Sequence, residues 1–363
     1  MAERRWDTRR SSIGSPRSEP CVLDGSAGLG PYRFGLTAIA AIAPTDRQFT
    51  PISGPTVVPD SYFVIHGSQD ADVFTFEGYH TYERAHAVDQ ANPTVSDGEF
   101  KAMLWVHKAN HNQFNSIWAS ETGVGVAMPR ASQEEVAKIH LGSLAQAALL
   151  DRIEYFDVLR DHRAAEAWEP AGVDLVSQYQ DGERVFIQHN QEGIAAPVVS
   201  LPVQGTVAAD SVVRHAPTDR PGRRRRHHDD YASTRVDRSR LALAFASGSV
   251  DALPAERYKT LALRVGQSTE AANAVARDQD FTVEVSSGSR TAAFAASALH
   301  RLIYPDPPPF GPAKIVMQTL RLPVEDLVEQ RRGPRRSSLR RPCVRPTSGR
   351  DGLRRRFAML QLT

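Results

Sequence analysis

Two acidic residues and one histidine stand directly after short apolar runs, where their types and order could support acyl transfer. Asp70 and Asp72 follow the apolar residues 62–65, and His111 follows the apolar residues 103–106. A carboxylate that orients a histidine allows the imidazole to remove a proton from a serine hydroxyl, which is the chemistry of a Ser-His-Asp triad. The sequence therefore predicts the acid and the base of a hydrolytic site.

The apolar runs that precede these residues are typical of buried parallel strands, because they are short and bounded by Gly, Asp or Asn. Residues 36–43 form a further strand candidate, and residues 78–90 are predicted to form a helix. A capping-box pattern at 132–135 predicts a helix that runs to about residue 150. This order predicts an α/β fold with a parallel sheet and helical cover. The acid and the histidine should then meet at one edge of the sheet.

Four segments of this region resemble the last third of lipase- and esterase-like α/β-hydrolases related to chlorophyllases and polyester hydrolases, namely residues 64–73, 82–85, 101–106 and 109–115. The resemblance covers roughly residues 36–150 and implies a carboxylic-ester hydrolase whose substrate is a small-molecule or polymer ester. It implies that Asp70 is the triad acid and that His111 is the triad base. The family's acid stands three residues after the glycine that ends its strand, which is Gly67 here. Asp72 is the competing acid.

Each of these residues also has a purely structural alternative. Aspartates after a strand often cap the next helix or turn, which would account for Asp70 and Asp72. A loop histidine held by its neighbours Asn110 and Asn112 would account for His111. Chain order and spacing together favour the catalytic interpretation.

The chain departs from the hydrolase pattern at the nucleophile. No Gly-x-Ser-x-Gly elbow stands upstream of residue 36, and Ser26 is a poor approximation because Asp24 replaces the first glycine. Lys108 stands where relatives tend to have glycine, so the loop that carries His111 is expected to differ in conformation. We therefore expect a truncated hydrolase that is inactive or weakly active.

Composition divides the chain into four parts. Residues 1–33 and 331–363 are rich in arginine without periodicity, which predicts a disordered arm and a disordered tail. Residues 34–168 are assigned to the C-terminal part of an α/β-hydrolase domain. Residues 169–330 contain short alternating runs that predict a mostly antiparallel β-sandwich with a basic loop near 215–240. This part resembles the sandwich attached to some large bacterial relatives.

Several classes of cofactor and location receive no support from the sequence. Cys21 and Cys343 both lie in the arginine-rich ends and indicate neither a disulfide framework nor a metal site. No cofactor or metal is expected, because adjacent ligands such as those at 227–230 seldom converge on one ion. The sequence contains no run of about 18 apolar residues, so no membrane span is predicted. No export signal follows the basic first residues.

Two further kinds of partner were weighed against an ester substrate. The arginines at 223–226 and in the tail could neutralise phosphates, but no nucleic-acid fold signature accompanies them, so nucleic-acid binding is not expected. The alternative function is a non-catalytic protein that binds a glycan or polymer through the β-sandwich. Tyr179, Phe186 and Tyr304 are its candidate ligand-facing aromatics, although such residues more often fill a sandwich core.

Overall fold

The structure is a computed structural model of the 363-residue chain. It describes residues 37–45, 61–85, 100–117, 127–181, 258–267, 269, 276–287, 290–309 and 311–330, together with the backbone of strands at 185–188, 205–210, 212–215, 231–234, 240–245 and 355–362. The predictions for the arm at 1–33, for Ser26 and for both cysteines lie outside these residues.

A four-stranded mixed sheet forms the first part of the fold. Its strands are β1 (Ala38–Ile42), β2 (Ser61–Gly67), β3 (Phe100–Val106) and β4 (Leu175–Asp181). They lie in the order β1-β2-β3-β4, with β1, β2 and β3 parallel and β4 antiparallel to β3. Every residue of β2 and β3 is buried, as is typical of parallel strands covered on both faces. The carboxyl ends of β2 and β3 therefore lie at the same edge of the sheet.

Helices contribute to the cores on both faces of this sheet. They are α1 (Glu77–Arg84), α2 (Arg130–Leu150) and α3 (Phe156–Arg160). Because successive side chains of a strand point to opposite faces, Trp105 joins the core that contains Tyr79 of α1, whereas Leu104 joins the core that contains Leu144 of α2. In the part of the chain that the structure describes, no helix has the length and apolar character needed to cross a membrane.

The start of α2 differs from the sequence prediction. The helix begins at Arg130, after Pro129, and no side chain caps its first turn. The predicted capping box at 132–135 is wrong, because Gln133 lies inside the first turns and its buried amide hydrogen-bonds the main chain of Asn110. The sequence predicts a helix at 78–90, and α1 spans Glu77–Arg84. The rest of the predicted helix beyond residue 85 lies outside the described residues.

The remaining strands form antiparallel sheets separate from the first. These strands are β5 (Val185–Gln188), β6 (Gly205–Asp210), β7 (Val212–His215), β8 (Tyr231–Thr234), β9 (Arg240–Phe245), β10 (Thr260–Gln267), β11 (Thr282–Ser287), β12 (Arg290–Ala295), β13 (Gln318–Pro323) and β14 (Arg355–Leu362). One sheet has the order β13-β10-β14-β8-β7 with β5 also beside β14, and the pairs β11-β12 and β6-β9 stand apart. Two short helices are α4 (Ala296–Leu299) and α5 (Val324–Gln330).

Strand pairing in the structure crosses the compositional boundaries. Composition assigns β4 to the β-rich part, whereas β4 pairs with β3 from Phe100↔Asp181 to Val106↔Leu175, so the first sheet extends past residue 168. The tail predicted to be disordered contains β14, which pairs with β10, because the apolar residues 357–360 interrupt the arginine-rich sequence with a strand-forming run. The basic loop predicted near 215–240 contains β8.

Candidate functional site

The ends of β2 and β3 bring two loops into direct contact. Ser68 N–H donates to the Val106 carbonyl at 2.9 Å, and Gln69 N–H donates to the Ala109 carbonyl at 2.8 Å. Gly67 permits this approach, because a Cβ atom there would lie 2.3 Å from the Ala109 carbonyl oxygen. We call residues 68–76 the acid loop and residues 107–117 the histidine loop.

Lys108 adopts the backbone conformation that favours glycine. Its φ of 64° lies in the left-handed region, and its N–H donates to Ser68 Oγ at 2.7 Å. A side chain in this region costs about 1 to 2 kcal/mol. Lysine therefore adopts the left-handed turn that glycine would favour at this position. The contacts of the histidine loop offset the cost of this backbone conformation.

Asp70 and His111 form a hydrogen-bonded pair at the meeting of these loops. His111 Nδ1 lies 2.9 Å from Asp70 Oδ2, the carboxylate is fully buried, and the imidazole is 14% exposed. Asp70 Oδ1 accepts a hydrogen bond from Val73 N–H at 2.7 Å, so the carboxylate also caps the turn that follows it. The structural and the catalytic interpretations of Asp70 are thus compatible, since each uses a different oxygen.

The environment of Asp70 favours its ionised form. Burial alone would raise the pKa of the Asp70 carboxyl, but the hydrogen bond from His111, the nearby His66 ring and the Val73 N–H hold that pKa below its ordinary value. At neutral pH the pair therefore contains a buried carboxylate that fixes the Nδ1 side of the imidazole. Nε2 is left as the nitrogen for proton exchange, as in a triad histidine.

Asp72 lies on the other side of the same imidazole. Its Oδ2 is 3.6 Å from His111 Nε2, and its side chain is 72% exposed. An exposed carboxylate at this distance orients a histidine weakly, because water screens it. The geometry therefore gives Asp70 the orienting position and leaves Asp72 on the side where a substrate or nucleophile would approach.

A buried amide on α2 fixes the residue before His111. Gln133 Nε2 donates to the Asn110 carbonyl at 2.7 Å, and Asn110 N–H donates to Gln133 Oε1 at 3.1 Å. Asn110 Oδ1 in turn accepts from Gln113 N–H at 3.0 Å and caps the short 3₁₀ turn after the histidine. Gln133 was not identified from the sequence. Its helical spacing places it on the same buried stripe as Val136, Ala137 and Leu144, and a polar residue on such a stripe indicates a buried hydrogen bond.

A distant segment of the chain covers the acid loop. We call residues 304–309 and 311–317 the cover segment. Lys314 Nζ donates to the Asp70 carbonyl, and the Asp306 carbonyl accepts from Gln69 Nε2 at 3.3 Å. The Asp306 carboxylate lies 3.3 Å from His107 Nε2. Sequence reasoning missed these contacts, because no local pattern links residues more than 190 positions apart.

His66 lies beneath the pair as a fully buried and neutral imidazole. Its Nε2 is 3.8 Å from Asp70 Oδ2, beyond hydrogen-bond distance, and its ring meets Phe76 edge-on with the centroids 4.9 Å apart. Burial lowers the pKa of His66 to about 4, with Asp70 opposing this effect and Lys314 adding to it. His66 is therefore unprotonated at neutral pH, and His111 is the histidine that hydrogen-bonds Asp70.

No nucleophile is assigned among the described residues, in which the Asp72 carboxylate lies 3.6 Å from His111 Nε2. In the same residues, no group of three or more His, Cys, Asp or Glu side chains is arranged to hold a metal ion. The catalytic roles of Asp70 and His111 therefore remain predictions that rest on their geometry.

Comparisons of the chain with family models, with curated proteins and with solved structures found no match. A functional assignment therefore depends on the residues of the site and on their arrangement.

Proposed function

We propose that this chain carries the acid and histidine of a carboxylic-ester hydrolase of the α/β-hydrolase class. The observation that supports this most directly is the 2.9 Å contact between the buried Asp70 carboxylate and His111 Nδ1 at the carboxyl ends of two parallel strands. A buried carboxylate on Nδ1 of an imidazole that is partly exposed is the arrangement that general-base catalysis by histidine needs.

The proposed roles follow from the position of the Asp70 carboxylate on the Nδ1 side of the imidazole. With a serine beside Nε2, His111 would take the hydroxyl proton as general base and return it to the leaving alcohol as general acid. Asp70 would stabilise the imidazolium that forms between these steps and would keep the ring in one orientation. The substrate class is a small-molecule or polymer ester.

The fold supports the same proposal at a coarser level. β1, β2 and β3 would be the last parallel strands of a hydrolase sheet, and the antiparallel sheets beyond them would belong to a β-sandwich. Among the described residues β1 pairs only with β2, so earlier strands of such a sheet would add at its other edge. The alternative of a binding protein has less support, because Tyr179 and Tyr304 are buried rather than presented to a ligand.

Cleavage of a nitrophenyl ester tests the proposal. Without a recognised nucleophile we expect weak turnover by water attack, and His111→Gln should reduce it by about 100-fold or to the buffer rate, since it removes the general base. Asp70→Asn should lower it as well. His140→Gln is the matched control and should leave turnover unchanged, because His140 is also a buried histidine hydrogen-bonded to a carboxylate, that of Glu169, but lies outside both loops.

Two results would contradict parts of this proposal. Turnover above the buffer rate that is equal in the wild type and in His111→Gln would exclude His111 as the base. Rapid turnover that Ser26→Ala abolishes would show that the chain has its own nucleophile, and our expectation of weak activity would then be wrong.

A further inference from the structure

Lys314 is a buried cation with no role in the hydrolase chemistry described above. Its side chain is 1% exposed, and its ammonium donates a hydrogen bond to the main-chain carbonyl of Asp70. Burial of an ammonium group is costly unless hydrogen bonds and nearby negative charge compensate it. The position of such a group beside the candidate acid therefore calls for a physical account.

Lys314 contacts Asp70, the candidate acid of the site. Asp70 offers three oxygens, and each has a different partner: Oδ2 meets His111, Oδ1 meets Val73 N–H and the carbonyl meets Lys314. Lys314 thus fixes the backbone of the acid, while Val73 and His111 fix its carboxylate. Hydrogen bonds therefore hold both the main chain and the side chain of Asp70 in place.

The rest of the cover segment holds the residues on either side. Asp306 accepts from the Gln69 side chain, and Gly311 lies against Phe74 so closely that a Cβ atom would come within 2.9 Å of its ring. Three places along the acid loop are therefore held by one segment that lies more than 230 residues further along the chain.

The charge of Lys314 acts on the same group of side chains. It disfavours protonation of the buried His66, whose pKa is low chiefly because of burial. The hydrogen bond from Lys314 reaches the main-chain carbonyl of Asp70, so this contact with the acid does not depend on the protonation of His111.

We propose that Lys314 is a positioning residue for the Asp70–His111 pair, so that the cover segment is a component of the site and not only a connection between strands of the β-rich part. The inference rests on the proposed function in naming the pair as the reacting unit. Its tests measure the hydrogen bond of the pair and not ester turnover, so each proposal can fail without the other.

The first test compares two buried lysines in the full chain. Lys101 is also buried and donates to a main-chain carbonyl, that of Tyr82 at 2.9 Å, but it lies at the start of β3, about five strand residues or roughly 16 Å from the edge that carries Asp70. NMR detects the hydrogen-bonded Nδ1–H proton of His111 as a downfield signal. We expect Lys314→Met to abolish or broaden this signal and Lys101→Met to retain it. An unchanged signal in folded Lys314→Met would overturn the proposal.

A second test does not require any Lys314 variant to fold. In the chain labelled with ¹⁵N-lysine, Asp70→Asn should shift the ammonium signal of Lys314, because the ammonium hydrogen-bonds the main-chain carbonyl of the substituted residue, and should leave that of Lys101 in place. A Lys314 signal that does not respond to Asp70→Asn would overturn the proposal. The expected NMR responses in a chain whose turnover above the buffer rate is unchanged by His111→Gln would instead count against the proposed function alone.

Discussion

At the scale of single residues, two aspartates in similar sequence positions have very different surroundings. Asp70 is fully buried and contacts His111 Nδ1 at 2.9 Å, whereas Asp72 is mostly exposed and lies 3.6 Å from Nε2. A charge interaction is stronger where water is excluded, and an exposed pair is worth at most about 1 kcal/mol. Burial therefore favours Asp70 over Asp72 as the acid that orients His111. The spacing between Gly67 and Asp70 leads to the same preference.

Isosteric substitution should separate the two aspartates. Asp70→Asn removes a buried charge that is hydrogen-bonded to His111, so we expect the free energy of unfolding to fall by about 1 to 3 kcal/mol and the Nδ1–H signal of His111 to be lost. Asp72→Asn should change stability by less than about 0.5 kcal/mol and keep the signal. Urea unfolding and NMR measure both effects. Equal losses in the two variants would mean that Asp72 shares the orienting role.

At the scale of elements, the histidine loop takes its shape from a helix that follows it. α2 contributes Gln133, whose amide satisfies both the N–H and the carbonyl of Asn110. Buried main-chain groups need such partners, because an unsatisfied group costs about 1 to 3 kcal/mol. The buried main-chain groups of Asn110 can therefore lie in an irregular loop without losing their hydrogen bonds.

Replacement of this amide should loosen the histidine loop. Gln133→Met keeps a similar volume but leaves the two main-chain groups of Asn110 without these partners, so the free energy of unfolding should fall by at least about 2 kcal/mol. Amide exchange in the histidine loop should accelerate. Glu135→Gln, on the exposed side of α2, is the control and should change stability by less than about 0.5 kcal/mol. A neutral Gln133→Met would show that the loop is held by other contacts.

The sequence predicts the elements that are continuous in the chain and misses those that depend on distant pairing. The apolar runs at β2 and β3 and the polar residues after them are local patterns, so the edge that carries Asp70 and His111 could be predicted. β4 could not be assigned to that sheet, because its alternating residues suit any antiparallel neighbour and its partner in β3 lies more than 65 residues away. Lys314 had no local signal at all, since only the folded chain places it beside Asp70.

At the scale of the whole molecule, two half-buried histidines lie between the first sheet and the β-rich part. His162 Nδ1 lies 3.1 Å from Ser177 Oγ on β4, and its ring is edge-on to His300, which follows α4, with the centroids 5.0 Å apart. Burial lowers the pKa of His162 to about 3, and His300 adds to this effect. His66 has the same property near the acid loop. Both rings are neutral in the folded chain at neutral pH.

These neutral histidines should make the fold sensitive to mild acid. In the unfolded chain each histidine binds a proton near pH 6.5, whereas in the folded chain His66 and His162 bind theirs only near pH 4 and pH 3. Between pH 6.5 and about 4 the unfolded state therefore holds more protons, and stability falls as the pH falls. Each histidine contributes a slope of about 1.4 kcal/mol per pH unit once its unfolded form is fully protonated.

Urea unfolding between pH 7.5 and 4.5 tests this at His66. The free energy of unfolding of the wild type should fall across this range, and His66→Gln should remove about 1.4 kcal/mol per pH unit of the slope below pH 6, because glutamine does not titrate. The difference between the two proteins at pH 7.5 is the internal control, since His66 is neutral there in both states and only packing is compared. Carboxyl groups that begin to titrate near the lower end of this range are common to both proteins, so the difference between the two slopes reports on His66. Parallel curves for the two proteins would mean that the ring of His66 reaches solvent and takes up its proton in the folded state.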